Sequence, residues 1–334
     1  MTGMPRRWPP GFPWLASFVL LGAIWGCSFW WIKLGLGAVA PIDVTAIRLV
    51  IGAFTLLVIL AITHGTLPRS IRVWVHLCVL AIFLNSIPFT LFAYGETHVS
   101  AVLAGIINSL TPLATIAMSL AIFGQRRPKP EVILGIAVGL VGVLVVTGIW
   151  DGLGHNQLLG IGACLLAVAS YGIAFPYARR YLSATEYGPV SLATGQVLCG
   201  ALQTLPFALV FGHLYLQRPL HIVVAAIAGL LSLGVFSTGI AYVLNFHVLE
   251  SASATVASTV TYLTPFFAVV AGILFLGEPF LWREPLGGLV ILVGAALAQG
   301  RLRLPEPETQ STMLSCLPRI GRPPSEPIET DETL

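Results

Sequence analysis

The sequence contains ten long apolar runs, each nearly free of charge over about 20 residues. A helix of about that length crosses a hydrocarbon core about 30 Å thick. The chain is 56% hydrophobic and only 9% charged, whereas a soluble domain is usually about one-quarter charged. We therefore predict an all-α membrane protein with ten transmembrane helices. They lie near residues 14–35, 42–63, 74–94, 98–123, 131–149, 157–178, 188–212, 221–245, 252–276 and 284–300.

The segments between these runs are short, so they leave no room for a soluble catalytic domain of about 50 residues or more. Residues 301–334 differ from the rest because they are rich in proline and acidic residues. Such a segment has too little apolar surface to offset its ordering entropy. We expect a disordered tail there, and a short cytoplasmic N-terminus at residues 1–13.

The basic residues predict the orientation, because short basic loops stay on the cytoplasmic side. With the N-terminus inside, the other side carries only Lys33, Arg218 and Arg283. The cytoplasmic residues are then Arg6, Arg7, Arg69, Arg72, Arg126, Arg127, Lys129, Arg179, Arg180, Arg301, Arg303, Arg319 and Arg322. Both termini are expected in the cytoplasm of a multi-pass cell-membrane protein. The net charge of +3 needs no nucleic-acid partner.

The two halves of the chain match each other, as is frequent in transporter folds. The matched pairs include Trp25-Gly26 with Tyr171-Gly172, Arg48 with Gln196, Ala93-Tyr94 with Ala241-Tyr242, and Leu110-Thr111-Pro112 with Leu263-Thr264-Pro265. The first repeat covers residues 14–150 and the second 157–300. Since five helices is an odd number, the second copy enters the membrane from the opposite face. We therefore predict two inverted five-helix repeats. The spacings Gly135-x-x-x-Gly139 and Gly294-x-x-x-Ala298 also predict close helix approach.

These residues resemble the EamA type of the drug/metabolite transporter superfamily. The resemblance lies in Trp25-Gly26-Cys27-Ser28-Phe29, Arg48, Ala93-Tyr94, Ala101, Leu110-Thr111-Pro112, Ala241-Tyr242, Ala254, Ala257, Leu263-Thr264-Pro265 and Leu276-Gly277-Glu278. It implies ten helices, two EamA repeats and export of amino acids, related metabolites or toxic compounds. The sequence departs from the family at Gln125, where the first copy usually carries the acid that Glu278 supplies in the second. A carboxylate-dependent role at that end of helix four is therefore in doubt.

Two inverted halves around one site can open it to each face in turn. We expect a secondary transporter, an exporter of a small neutral or zwitterionic metabolite, with the lipid bilayer and the solute as its partners. Translocation of lipids, amphiphiles or drugs is the alternative, followed by a channel or a non-transporting scaffold. The sequence leaves open whether the chain forms a homodimer.

Polar residues inside the runs are the first candidate site residues. Arg48 either contacts the substrate or a gate, or is structural, reaching backbone carbonyls or the interface. Its matched position is Gln196, so the two halves differ chemically there. Asn85 and Asn245 suit ligand contact and interhelical hydrogen bonding equally well.

Aromatic residues and prolines are the second group. The rings of Trp25, Tyr94, Tyr171, Tyr242 and Tyr262 either line a central cavity or belong to the interfacial aromatic belt. Prolines in helices four and nine free backbone carbonyls, which favours kinks with a gating consequence. Freed carbonyls and side chains near these prolines are candidates to coordinate a polar solute. The residues concerned are Pro112, Pro265, Asn108, Thr111, Thr261 and Thr264.

Enzyme chemistry is not expected, because the sequence has no H-E-x-x-H, no G-x-S-x-G and no paired intramembrane carboxylates. We assign no catalytic residue, metal or cofactor. The sequence contains no Walker motif, so ATP hydrolysis by this chain is not expected. Glu96, Glu250 and Glu278 lie at helix ends, so a buried carboxylate relay is not expected. His98 and His247 near helix termini suit either a proton role or an interfacial position.

Overall fold

The computed structural model describes residues 14–123, 130–148, 150, 154–215, 217–251 and 259–302. The predicted N-terminal segment and residues 303–334 of the predicted tail lie outside this part, as do Gln125, Ala254 and Ala257. The regular elements described are helices, with one isolated bridge between Val39 and Leu214. The protein is therefore all-helical over the described residues.

The first half of the chain forms seven α-helices and one π-helical segment. They are α1 (Trp14–Leu36), α2 (Pro41–Ile62), α3 (Ile71–Ala81), π1 (Ile82–Ser86), α4 (Ile87–Glu96), α5 (Ala101–Asn108), α6 (Thr111–Phe123) and α7 (Pro130–Thr147). The segments α3, π1 and α4 form one continuous helix of 26 residues, Ile71–Glu96.

The second half repeats this order. Its elements are α8 (His155–Tyr181), α9 (Pro189–Phe211), α10 (Leu220–Ser232), π2 (Leu233–Ile240), α11 (Ala241–Ser251), α12 (Val260–Leu276) and α13 (Arg283–Ala298). Pro41 and Pro189 begin α2 and α9 at matched positions. Proline suits the first helical position because the missing N–H has no intrahelical partner there.

Seven helices in the described part are long and apolar enough to cross a membrane, and the pair α5 and α6 makes an eighth if it is one span. This pair is bent by 43° next to Pro112, and a gating role of this bend stays a prediction. The last two predicted spans correspond to shorter helices, α12 with 17 residues and α13 with 16. The count of ten spans stays a prediction.

The outer faces of the helices are apolar. Leu209 is 80% exposed and Ile62 72%, while Leu21 and Leu49 in the interior are fully buried. Water does not favour so many exposed large apolar side chains, whereas hydrocarbon does. The chain is therefore a multi-pass membrane protein.

The helices of the two halves pack in matched pairs. α1 packs along α12 as its counterpart α8 packs along α6, while α2 packs on α9 and α7 on α13. In the last pair, a Cβ at Gly135 would lie 2.5 Å from the Gly294 carbonyl oxygen, and one at Gly142 would lie 2.9 Å from that of Gly287. The close approach that the small-residue spacing predicts is confirmed. Because Gly135 meets the later glycine and Gly142 the earlier one, α7 and α13 run antiparallel.

Candidate functional site

Arg48 lies two turns into α2 and is only 7% exposed. Its Nε donates a hydrogen bond to the Thr238 hydroxyl at 3.0 Å and its terminal nitrogen donates to the Ser237 hydroxyl at 2.9 Å. The guanidinium carbon also lies 3.8 Å from the centre of the Phe89 ring. A buried cation in a membrane protein needs such partners. Arg48 thus connects α2 with π2 and α4.

Asn85 and Gln196 meet close to Arg48. The Gln196 amide donates to the Asn85 side-chain oxygen at 2.6 Å, and the Asn85 amide lies 3.5 Å from the Tyr242 hydroxyl. Asn85 belongs to π1, Gln196 to α9 and Tyr242 to α11. π-helical turns are rare in proteins, and those that occur often lie at functional sites. Here π1 and π2 both carry polar groups of the same buried site.

Tyr171 of α8 completes this site. Tyr171 and Tyr242 both lie within electrostatic range of the Arg48 charge, and the Tyr171 ring packs 6.1 Å from that of Phe92. We call the assembled group the central polar cluster. It consists of Arg48, Asn85, Tyr171, Gln196, Ser237, Thr238 and Tyr242. Sequence reasoning named five of these but missed Ser237 and Thr238, since hydroxyls in a helix carry no signal of a distant partner.

The remaining candidates lie elsewhere. The Tyr94 ring is 39% exposed and packs on His98. Trp25 packs against the apolar cluster of Leu21, Ile24, Ala241, Leu244 and Val260. Asn245 is partly buried on α11. Among the described residues, no ring contact joins Trp25 or Tyr94 to Tyr171 or Tyr242, and a shared aromatic wall stays a prediction.

The proline regions are separate from the central polar cluster in their contacts. Thr111 donates to the Asn108 backbone oxygen at 2.7 Å, the carbonyl that Pro112 leaves without its helical partner. In α12, Thr261 and Tyr262 lie in the first turn ahead of Pro265. The Tyr262 ring faces the Arg301 guanidinium at 5.8 Å, and its buried hydroxyl has no hydrogen-bond partner within the part of the chain that the structure describes.

A second polar site, at the predicted outer end of the helices, was not found from the sequence. Lys33 of α1 donates to the backbone oxygens of Glu96 at 2.6 Å and Val99 at 2.8 Å. The Glu278 carboxylate accepts from the backbone N–H groups of Ala101 at 2.8 Å and Val102 at 3.0 Å. A cation at a helix C-terminus and an anion at an N-terminus both suit the helix dipole. We call these contacts, which hold the α4–α5 turn from two sides, the outer tie.

The backbone after α12 brings Glu278 to this place. Gly277 adopts a left-handed conformation with φ of 65°, which is easily reached only without a Cβ atom. The next N–H, that of Glu278, then donates back to the Gly272 oxygen at 3.1 Å. The turn directs the carboxylate to the first N–H groups of α5.

A cavity of about 360 Å³ opens beside the outer tie. Its polar lining includes Lys33, His98, Ser100, Gln157, Arg283 and Glu284. Within the described residues, no group of three His, Cys, Asp or Glu side chains is placed to hold a metal ion. Because its lining contains the basic residues Lys33 and Arg283 and the acidic residue Glu284, the cavity offers groups of both charges.

Replacement of Glu278 by glutamine is expected to lower the stability of the protein. The amide can accept one of the two N–H bonds, but its NH₂ group would face the other donor. Loss of a charge-assisted hydrogen bond destabilises by about 1.5–3 kcal/mol. The melting temperature in detergent measures this, with Glu186→Gln at an exposed carboxylate as the matched control. Equal melting temperatures for both variants would show that the capping contact contributes nothing.

Comparison with known proteins places the chain among membrane transporters. It is 26% identical to an uncharacterized transporter of Archaeoglobus fulgidus over 81% of this chain and 92% of the relative. It is 28% identical to the uncharacterized transporter YdfC of Bacillus subtilis over 84% and 89% of the two chains. A crystal structure superposes with a TM-score of 0.59 at 19% identity, over 86% of this chain and 99% of the other, which shows a shared fold.

The family comparison covers nearly all of the helical part. The sequence profile of the EamA-like transporter family matches residues 12–148 and, separately, residues 158–299. The two matches correspond to the two halves that pack as matched pairs, so the internal repeat is that of the family. The chain belongs to the EamA-like transporter family, within the drug/metabolite transporter superfamily, and is a membrane transporter.

Proposed function

We propose that the chain is a secondary transporter that exports small polar metabolites such as amino acids, by alternating access between two inverted five-helix repeats. The repeats are residues 14–150 and 157–300. The central polar cluster is the observation that carries the proposal. It is buried, it lies among apolar helices, and both repeats contribute to it.

The antiparallel packing of α7 on α13 supports the inversion of the repeats. These two helices are the fifth of each half, and their glycines meet in reversed order. Copies related by an axis in the membrane plane place equivalent helices in this way. Together with the basic residues of the loops, this supports ten spans with both termini in the cytoplasm.

The chemistry of the central polar cluster supports a polar, asymmetric solute. A guanidinium binds a carboxylate through two hydrogen bonds, a geometry that a lysine does not match. Arg48 holds two hydroxyls in the described structure, and a solute carboxylate can exchange for them. On the Gln196 side the groups are amides and a phenol, which suit a neutral or donor group.

The outer tie supports a gating role at one end. Lys33 and Glu278 come from α1 and the α12–α13 turn, and both hold the turn between α4 and α5. Opening of the site toward that end requires these contacts to separate. In the first repeat the position matched to Glu278 is Gln125, which lies outside the described residues.

Counterflow uptake by the purified protein in liposomes tests the proposed function. Vesicles are loaded with one unlabelled amino acid or related metabolite at a time, and entry of the labelled form is followed. We expect saturable uptake for at least one solute of the panel. Uptake without saturation would indicate a channel. No uptake of any solute, with movement of a labelled lipid or drug instead, would replace the metabolite by an amphiphile.

A further inference from the structure

Glu96, the last residue of α4, is a buried carboxylate with no role in the contacts described so far. Its side chain is 0% exposed, and neither carboxylate oxygen has a hydrogen-bond partner among the described residues. An ionised carboxylate buried in this way is strongly destabilising, so it takes up a proton or gains a partner. The sequence places Glu96 at a helix end, from which a buried carboxylate relay was not expected.

Charged and titratable groups from four other parts of the structure lie within electrostatic range of Glu96. They are Lys33 on α1, Arg48 on α2, Cys164 on α8 and Glu278 after α12. The nearest titratable residues along the chain are Tyr94 and His98, and the His98 ring bonds the Thr97 hydroxyl at 2.7 Å. The Glu96 carboxylate is therefore coupled electrostatically to one cation of the central polar cluster and to one cation of the outer tie.

Both cations are engaged elsewhere. Lys33 donates to the backbone oxygens of Glu96 and Val99, and Arg48 donates to Ser237 and Thr238. The Glu96 carboxylate thus has two cations nearby and is hydrogen-bonded to neither. A carboxylate in such surroundings has two stable states. The carboxylate is neutral while the cations keep their present partners, or it is ionised and draws one cation away.

Lys33 is the cation that can move and that also reaches solvent. Its side chain lines the outer cavity of about 360 Å³ together with Val99. A lysine side chain is flexible and its ammonium is a point charge, so it can turn from a carbonyl to a carboxylate. The same residue therefore connects the buried carboxylate, the outer tie and the aqueous cavity.

We propose that Glu96 binds the proton that is coupled to solute movement, an inference that rests on the proposed function. A proton from the outer cavity bonds to one carboxylate oxygen, and the neutral acid leaves Lys33 on the two carbonyls. Release of that proton restores the anion, which draws the ammonium away from the carbonyls of Glu96 and Val99. The outer tie then loosens, and the central polar cluster gains access to that side of the membrane.

Infrared difference spectra of the purified protein in lipid test the proton site without any solute. Raising the pH is expected to remove a protonated-carboxyl band, and Glu96→Gln is expected to abolish that change. Glu186→Gln, at an exposed carboxylate, is the matched control and should retain it. Glu96→Asp should keep a titrating band at a shifted frequency. This variant tests the proton site if the glutamine variant does not fold. A band that persists in Glu96→Gln would overturn the proposal.

A transport measurement separates this inference from the proposed function. The solute found by counterflow is presented to vesicles with a pH difference of one unit and a clamped membrane potential. One coupled proton per solute drives about tenfold accumulation, because one pH unit corresponds to about 1.4 kcal/mol. Glu96→Gln is expected to keep counterflow and to lose accumulation. Counterflow by the wild type without pH-driven accumulation would reject Glu96 coupling and leave the transporter assignment intact.

Discussion

Replacement of Arg48 by alanine is expected to reduce solute flux about tenfold or more, while the amount of folded protein falls much less. Hydrogen bonds to a charged group contribute about 1.5–3 kcal/mol, and about 1.4 kcal/mol corresponds to a factor of ten. If the solute exchanges for Ser237 and Thr238, its binding loses at least one such bond. The hydroxyls left behind can bond carbonyls of their own helix, so the loss of stability is smaller.

The measurement is initial counterflow rate per folded transporter, with folded protein taken from size-exclusion chromatography. Arg180→Ala, at an exposed arginine at the end of α8, is the control and should transport normally. Arg48→Lys keeps the charge but not the planar pair of donors, and we expect it to fold and to lose most of its flux. Equal losses of flux and of folded protein in Arg48→Ala would assign Arg48 to folding.

Replacement of Gly26 by leucine is expected to have the second large effect, loss of both tight packing and transport. A Cβ at Gly26 would lie 2.5 Å from the Phe267 Cβ and 2.7 Å from the Thr264 oxygen. Contacts below 3 Å require α1 and α12 to move apart. Overpacking of this kind destabilises by about 1–3 kcal/mol, and it separates a helix of the first repeat from one of the second.

Gly162→Leu is the matched control, because a Cβ at Gly162 of α8 meets no atom within 4 Å. Melting temperature and counterflow rate are measured for both variants. We expect Gly162→Leu to resemble the wild type and Gly26→Leu to lose most of its flux. Normal transport by Gly26→Leu would contradict the contact between α1 and α12.

The helices and repeats could be predicted because their signals are local. Hydropathy over about 20 residues indicates a membrane span whatever the neighbouring segments are. The glycine spacings of α7 and α13 indicate which helix faces approach closely. The kink at Pro112 is also local, since proline removes a hydrogen bond of its own helix. None of these inferences needs knowledge of a distant partner.

The central polar cluster and the outer tie could not be predicted in this way, because each depends on partners that are distant in the sequence. Thr238 lies 190 residues from Arg48 in the chain, and nothing near either residue indicates the other. Glu96 ends a helix, a position that does not by itself indicate burial. The start of α8 covers it, since Gly95 lies against Gly160 and Cys164. Burial by a neighbouring helix is not encoded in the segment that is buried.

Matched positions also acquire different surroundings. Tyr94 and Tyr242 occupy equivalent places in the repeats, yet Tyr94 is 39% exposed and Tyr242 lies beside Asn85. The two halves therefore share a backbone plan and differ in which side chains they turn inward. A repeat in the sequence predicts the shared backbone arrangement. Which side chains face the interior depends on small rotations of each helix.

The π-helical segments π1 and π2 have a mechanical consequence. Each lies in the third span of its half, at Ile82–Ser86 and Leu233–Ile240. Conversion of one residue from π to α geometry advances the rest of the helix by about 1.5 Å and turns it by about 100°. The backbone groups are bonded within the helix in both geometries, as lipid requires. A conversion in π1 therefore moves Asn85, and one in π2 moves Ser237 and Thr238, without any helix being broken.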